Sequence, residues 1–189
     1  MLKTVKEIAK VRSGQTFRKR VSNSPDGEVY AIQIKDLNEQ FTDFCTTPHK
    51  VSKDEITSSQ LLNTGDILFL GKGNTNKAFV YKKPEAAVAV SLFFIIQVKG
   101  NSVLPGYLAW YLNSYQGQAA LERIKSGGLV GNIRKSDLED LVIPVPGIEI
   151  QNQIININNL FLKEKELLAK LELKKTQYIE SVLNRLINP

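Results

Sequence analysis

The sequence has few of the residues that build disulfides and metal sites. Its 189 residues include one cysteine, Cys45, and one histidine, His49. A single cysteine excludes an internal disulfide and any cysteine-based metal cluster, which is typical of a protein from a reducing cytosol. His49 has no second ligand at metal spacing, so we expect no metal site and no cofactor. Cys45 is expected to be a small apolar residue in a strand at 41–47.

Long apolar runs are also missing. The first ten residues, MLKTVKEIAK, lack the apolar core of a signal peptide. The longest apolar run, 86–98, is interrupted by Ser91 and Gln97 and is too short to span a bilayer. We therefore expect a cytoplasmic protein that does not enter a membrane.

The last fifth of the chain contains neither proline nor glycine from 148 to 188. Steps of four and three residues along this stretch define a lattice in which eight of eleven positions are apolar, as in the seam of a coiled coil. The lattice positions expected to mediate dimerisation are Ile150, Ile154, Ile157, Phe161, Glu164, Leu168, Leu171, Lys175, Tyr178 and Val182. Residues 148–189 are thus predicted to form one long helix after a domain at 1–147.

The predicted helix needs a partner for its apolar seam. At the usual rise per residue it would be roughly 60 Å long, more than a domain of this size can cover. A second helix is therefore expected to cover the seam. In the alternative, the helix breaks near Asn158 and Asn159 and folds back on its own domain.

The charge of the chain is positive and lies mostly before the helix. The net charge is +6, and residues 1–147 hold 19 Lys and Arg against 14 Asp and Glu, whereas the helix holds 6 against 5. A basic domain indicates a polyanionic partner, with nucleic acid considered before an acidic membrane.

Apolar alternation and turn residues predict an α+β domain with a mixed sheet. The predicted elements are a short helix or turn of helix within 2–11, strands at 28–37, 41–47 and 67–70, one long central strand at 86–99, one bent helix or two short helices near Gly117 within 107–125, a capping box at Ser136 and Glu139, and an edge strand at 141–146. The aromatic residues of 107–115 recur at helical spacing, so we assign them to the core, with a base-stacking platform as the alternative.

Three loops combine glycine with cations and amides. Glycine lets a backbone come close to a partner, and lysine, arginine and asparagine donate to phosphates and base edges. The candidate DNA-binding residues are Gln15, Thr16, Arg18, Lys19, Arg20, Lys72, Asn74, Asn76, Lys77, Lys125, Asn132, Arg134 and Lys135. A solvated loop explains the first cluster equally well, and a hairpin turn is compatible with the second. The second loop lacks the spacing of a Walker phosphate-binding loop.

Residues for catalysis are not evident. The sequence has no NPPY methylation motif and no G-x-G-x-x-G after a strand, and Glu122 with Lys125 has the wrong spacing for a metal-dependent nuclease. Asp66 is the best isolated acid for a metal, but without a paired acid it is expected to be a turn residue. A nuclease of another type remains a third hypothesis.

Several motifs, in order, resemble one family. The run SDLEDLVIPVP, followed by Gln151, Ile154 and the long helix, is similar to the specificity (S) subunit of type I restriction-modification enzymes where its target-recognition domain meets the conserved helix. The upstream motifs SGQTF, YAIQIKDL, GDIL and GYLAWYLNS are similar as well. The chain departs from the family pattern at Gly147, where proline is usual, and at Ile150, where glutamate is usual.

The resemblance implies a non-catalytic DNA reader. A typical S subunit has two recognition domains and two helices, so this chain resembles a half subunit. The domain would read one half of a two-part site on double-stranded DNA. The helix would form an antiparallel homodimer and dock the methyltransferase (M) and restriction (R) subunits. The alternative from another class is a coiled-coil adaptor whose basic domain is incidental.

Overall fold

The computed structural model describes residues 1–73, 75–125 and 131–187. It divides into two units, Met1–Gln151 and the residues from Asn152 onward. The strands are β1 (Leu2–Thr4), β2 (Ala9–Ser13), β3 (Val29–Ile32), β4 (His49–Val51), β5 (Ile67–Leu70), β6 (Ala78–Val80), β7 (Ala87–Ala89), β8 (Phe93–Val98) and β9 (Val142–Pro144). The helices are α1 (Val5–Ile8), α2 (Pro105–Asn113), α3 (Tyr115–Ile124), α4 (Lys135–Asp140) and α5 (Ile148–Ile187).

An antiparallel sheet of four strands, in the order β2-β8-β5-β6, forms the centre of the first unit. All four residues of β5 are buried, as expected for a strand that is apolar on both faces. Its last residue, Leu70, is followed directly by the loop that carries Lys72 and Lys77. The strand therefore gives this basic loop a rigid starting point.

A second sheet has the order β4-β3-β7, with β3 and β7 parallel. One face of it shares a core with the four-stranded sheet, in which Ile32 and Ala87 join Leu68 and Ile95. The other face forms a smaller cluster, against which Phe17 and other partly buried side chains pack. The segment around Phe17 leads into Arg18, Lys19 and Arg20, so this cluster anchors the first basic loop.

A two-stranded ribbon of β1 and β9 joins the beginning and the end of the first unit. The Val5 N–H donates to the Leu141 carbonyl over 3.0 Å, and the Val145 N–H donates to the Met1 carbonyl over 2.7 Å. Because this sheet has only two strands, β9 lies at an edge, as the two prolines near this strand predicted.

The α+β class and the long C-terminal helix are confirmed, but two local predictions are wrong, the single strand at 86–99 and the strand at 41–47. The expected strand at 86–99 is two strands, β7 and β8, in different sheets, because a turn closed by the Phe93 N–H and the Val90 carbonyl separates them. The short helix or turn of helix expected within 2–11 is present as the four residues of α1, between β1 and β2. Residues 41–47 form no strand, and Cys45 is exposed rather than packed.

The helix α5 runs unbroken from Ile148 to Ile187, through Asn158 and Asn159. No helix within the described ranges is both long and apolar enough to cross a membrane. The predicted lattice of apolar residues thus lies on a single continuous helix.

Candidate nucleic-acid interface

Two of the predicted basic loops lie side by side. Lys72 and Asn132 pair through their backbones in an isolated antiparallel bridge, and the Ile133 N–H donates to the Gly71 carbonyl over 2.9 Å. The side chains of Lys72 and Asn132 are both exposed. The bridge joins the loop after β5 to the segment before α4 and makes one surface from two distant parts of the sequence.

Arg134 and Lys135 extend this surface at the start of α4. The side chain of Arg134 is 70% exposed and its Nε lies 3.1 Å from an Asp137 carboxylate oxygen. Lys135 is 47% exposed and lies 3.5 Å from Glu139. Exposed ion pairs of this kind contribute little to stability, so both cations can exchange their carboxylates for a phosphate at small cost. The N-cap position of α4 is Arg134, which makes no side-chain cap hydrogen bond, so the predicted capping box at Ser136 and Glu139 is wrong.

Lys125 has a supporting position in this surface. It forms an ion pair with Glu122, and its side chain is only 14% exposed. A Cβ added to Gly131 would lie 3.0 Å from the Lys125 side chain, which shows how closely the two segments pack. Lys125 therefore holds the start of the 131–135 segment in place.

The loop at 71–77 is held from within. Asn76 is 1% exposed, and its amide donates to the Leu70 carbonyl over 2.9 Å. The prediction that Asn76 offers donors to DNA is therefore corrected, because its side chain closes the loop instead. Lys77 is half-buried and donates to the Glu39 carbonyl. Asn74, another predicted contact, lies outside the described residues.

The two glycines of this loop serve different purposes. A Cβ at Gly71 would collide with the ring of Phe94, so this glycine is needed for packing inside the protein. Gly73 has a φ of +102° and open space around it, a backbone conformation that residues with side chains rarely adopt. Gly73 is thus the residue that lets the loop turn sharply beside Lys72.

The first basic loop lies against other elements. The backbone of Gln15 pairs with that of Val90 in an isolated parallel bridge. The side-chain amide of Gln15 donates to the Glu55 carbonyl over 3.2 Å. The exposed side chains that follow it are Thr16, Arg18, Lys19 and Arg20. This loop is a basic segment of the first unit that is anchored separately from the pair formed by the other two loops.

Asp66 is a turn residue, as the sequence indicated. It is 3% exposed, accepts the Asn63 N–H over 3.0 Å and lies 3.8 Å from the Arg12 guanidinium. Burial raises the pKa of its carboxyl, although Asn63 and Arg12 both act in the opposite direction. Across residues 1–73, 75–125 and 131–187, no three His, Cys, Asp or Glu side chains are grouped to hold a metal ion.

The second unit carries an uncovered apolar row. Many of its lattice residues are exposed. The exposed fractions are 67% for Ile157, 52% for Phe161, 57% for Leu168, 49% for Leu171, 71% for Tyr178 and 38% for Val182. Ile154 is half-buried, and Glu164 and Lys175 are exposed. Beside this row, Lys170 and Lys163 bind Glu166 and lower the pKa of its carboxyl to about 2.

The aromatic prediction for 107–115 is right for two tyrosines and wrong for a third. Tyr107 and Tyr111 are buried at 2% and 6% exposure, whereas Tyr115 is 90% exposed. Helix α2 ends at Asn113 and α3 begins at Tyr115. The helical spacing of the aromatic residues therefore does not continue across Ser114, and Tyr115 does not lie on the buried face of α2. The signal for this break was Ser114, which caps α3 by accepting the Gly117 N–H.

The described chain thus has a mixed-sheet domain that presents basic loops, and a long helix that presents an apolar row. Residues 1–173 match the family model described as "Type I restriction modification DNA specificity domain". The chain belongs to this family, as its motifs indicated. No curated protein sequence matches the chain.

Solved structures share the fold at low sequence identity. The S subunit of a type I restriction-modification system from M. genitalium has a TM-score of 0.59 and 15% identity, covering 90% of this chain and 41% of that chain. The HsdS subunit from Thermoanaerobacter tengcongensis has a TM-score of 0.60 and 16% identity, covering 87% and 37%. A structure titled for complex assembly and conformational transition of the type I R-M system has a TM-score of 0.71 and 17% identity, covering 93% and 41%. The chain therefore spans about two fifths of the length of these relatives.

Proposed function

We propose that the chain is the sequence-specific DNA-recognition subunit of a type I restriction-modification system. The observation that carries this proposal is the bridge between Lys72 and Asn132, which joins two basic loops into one exposed surface. Membership of the specificity-domain family supports double-stranded DNA as the polyanion that this surface binds.

In this proposal the exposed side chains of the basic loops contact DNA, and the buried or half-buried side chains hold these loops in place. The contacting residues are Thr16, Arg18, Lys19, Arg20, Lys72, Asn132, Arg134 and Lys135. Gln15, Asn76, Lys77 and Lys125 position them through the contacts described above. Cations on phosphates fix the register of the protein, and amides and arginine at base edges supply sequence preference.

The second unit has an assembly role in the same proposal. A second copy of α5 covers the apolar row from Ile150 to Val182, and the homodimer places two identical domains on DNA. The M and R subunits dock on this dimer and carry out the chemistry, while the chain itself is not an enzyme. A two-fold dimer reads identical half-sites, so the target is an interrupted palindrome whose spacer is limited by a helix of roughly 60 Å.

Selection of bound duplexes from a random pool, with and without the M subunits, tests this function. The expected result is enrichment of an interrupted palindrome. A pool that stays random, together with weak retention on heparin, would favour the coiled-coil adaptor instead. Purified protein is expected to show no turnover with S-adenosylmethionine and no DNA cleavage with a divalent metal, and cleavage would favour a nuclease.

A further inference from the structure

Tyr115 is an aromatic side chain in an unusual position. It is 90% exposed, whereas the other tyrosines of the first unit, Tyr30, Tyr81, Tyr107 and Tyr111, are buried or half-buried. An exposed tyrosine ring leaves a large apolar surface in water, and tyrosine is enriched where proteins bind their partners. Tyr115 is therefore a candidate contact that neither the charge pattern nor the family motifs single out.

The backbone that carries Tyr115 is held tightly. The Ser114 hydroxyl accepts the Gly117 N–H over 3.1 Å and donates to the Tyr111 carbonyl over 2.7 Å. A Cβ at Gly117 would collide with the same carbonyl oxygen, so α3 begins in close contact with the end of α2. The connection between α2 and α3 thus fixes the backbone position from which the exposed Tyr115 side chain extends.

The same connection is bonded to the end of the basic loop after β5. The Asn113 side chain accepts the Ala78 N–H and donates to the Ala78 carbonyl, both over 2.8 Å. The Gln118 amide donates to the Asn76 carbonyl over 2.7 Å. Tyr115 stands between Asn113 and Gln118 in the sequence, so its backbone is held near residues 76–78, the end of the loop that begins at Gly71 and Lys72.

We propose that Tyr115 is an uncharged contact to the DNA backbone next to this loop. The inference rests on the proposed function and adds a residue to its binding surface. The ring packs against a deoxyribose and the phenol O–H donates to a phosphate oxygen. Tyrosine is one of the side chains that contact the phosphate backbone in protein–DNA complexes, where such contacts fix register rather than sequence.

The test compares binding of a random-sequence duplex by the natural chain and by Tyr115→Ala and Tyr115→Phe over a range of salt concentrations. We expect Tyr115→Ala to weaken binding about tenfold, since it loses a hydrogen bond to a charged group and the packing of the ring. Tyr115→Phe keeps the ring and should lose about threefold. Both variants should keep the salt slope of the natural chain, because no cation is removed.

Leu2→Ala is the matched control, since Leu2 is an apolar side chain 74% exposed in the β1–β9 ribbon. It should bind duplex like the natural chain. If Tyr115→Ala behaves like Leu2→Ala while Lys72→Ala weakens binding, the inference is wrong and the proposed function stands. If the natural chain shows no salt-dependent binding, both are wrong. A lower unfolding midpoint for Tyr115→Ala would also count against a contact role.

Discussion

Lys72 pairs with Asn132 through the backbone, and this pairing places the cations of two loops on one surface. The first loop follows a fully buried strand, and the second leads into α4, whose first residue is Lys135. Each loop is therefore fixed at one end by an element of the core. A surface built in this way can present charge at defined positions rather than as a diffuse field.

The first prediction concerns the salt dependence of duplex binding. Replacing both Lys72 and Arg134 by alanine should weaken duplex binding and reduce the log–log salt slope by about two units, because each phosphate contact releases about one counterion. Lys174→Ala is the control, since Lys174 is exposed in the second unit and outside the lattice positions. Fluorescence anisotropy at several salt concentrations measures both quantities. An unchanged affinity and slope in the double variant would place the binding surface elsewhere.

The second prediction concerns pH and the buried Asp66. Burial raises the pKa of its carboxyl above the ordinary value of 3.8, and this effect exceeds the opposite influence of Asn63 and Arg12. A group whose folded pKa is raised contributes fully to stability below its unfolded pKa and loses that contribution as the pH rises through the folded pKa. Asp66→Asn should therefore gain stability relative to the natural chain as the pH rises above about 4.

Urea unfolding at a series of pH values measures this difference. The control is Asp26→Asn, which removes the same charge from an exposed turn. A difference that moves in the opposite direction with pH would mean that attraction to Arg12, which lies 3.8 Å away, outweighs burial.

The third prediction concerns Gln151, which is completely buried at the end of the first unit. Its Oε1 accepts the Leu104 N–H over 2.8 Å, and its Nε2 donates to the carbonyls of Ser102 and Pro146 over 2.9 and 2.8 Å. Gln151→Glu keeps an oxygen that can accept the Leu104 N–H, but it replaces the donor amide with a carboxylate oxygen that faces the carbonyls of Ser102 and Pro146. We expect a loss of about 3 kcal/mol in the free energy of unfolding, because the buried carboxylate faces two carbonyl oxygens and has no counter-charge.

Gln153→Glu is the control for that variant. Gln153 is exposed two residues further along α5, so the same change should alter the free energy of unfolding by less than about 0.5 kcal/mol. Chemical denaturation of both variants gives the comparison. Equal effects at the two positions would contradict an anchoring role for Gln151.

The sequence predicted long elements better than short ones. The helix α5 was predictable because proline and glycine are missing and the apolar spacing is regular, and β5 because its residues are apolar throughout. The division of 86–99 into β7 and β8 was not predictable, since both strands are apolar and only their different partners separate them. The short β1 depends on pairing with β9, a contact across the whole domain that no local pattern reveals.

The candidate site was predictable in composition and not in geometry. Glycines and cations marked the loops, but the bridge from Lys72 to Asn132 joins residues that no spacing relates. Residue type was misleading at Asn76, whose amide donates to the buried Leu70 carbonyl instead of facing solvent. The helix break before Tyr115 could have been inferred from Ser114, since serine is a preferred N-cap.

The fourth prediction concerns the apolar row of α5. Leu171→Asp should convert the proposed homodimer to a monomer, because it would place a charge in the seam where the two helices are proposed to pack. Leu171 is 49% exposed in the single chain, so the fold of each copy should be kept. Leu173→Asp is the matched control, since Leu173 is 59% exposed but lies off the lattice. Sedimentation that shows the same state for both variants would contradict this seam.

The last prediction concerns the direction of the two helices. Glu164 and Lys175 are symmetric about a point between Ala169 and Lys170, so antiparallel helices crossing there bring each Glu164 near the partner's Lys175. Parallel helices would instead place like charges together, which disfavours that arrangement. An antiparallel pair also puts the two domains at opposite ends of the helices, where they can read separate half-sites.

Disulfide trapping distinguishes the two directions. Glu164→Cys and Lys175→Cys are prepared separately with Cys45→Ser, because Cys45 is an exposed free thiol that would otherwise cross-link. An equimolar mixture should give the mixed disulfide under mild oxidation, and each variant alone should give little. Efficient cross-linking of each variant to itself would instead establish a parallel pair, and would contradict the proposal that the two domains read separate half-sites from opposite ends of the helices.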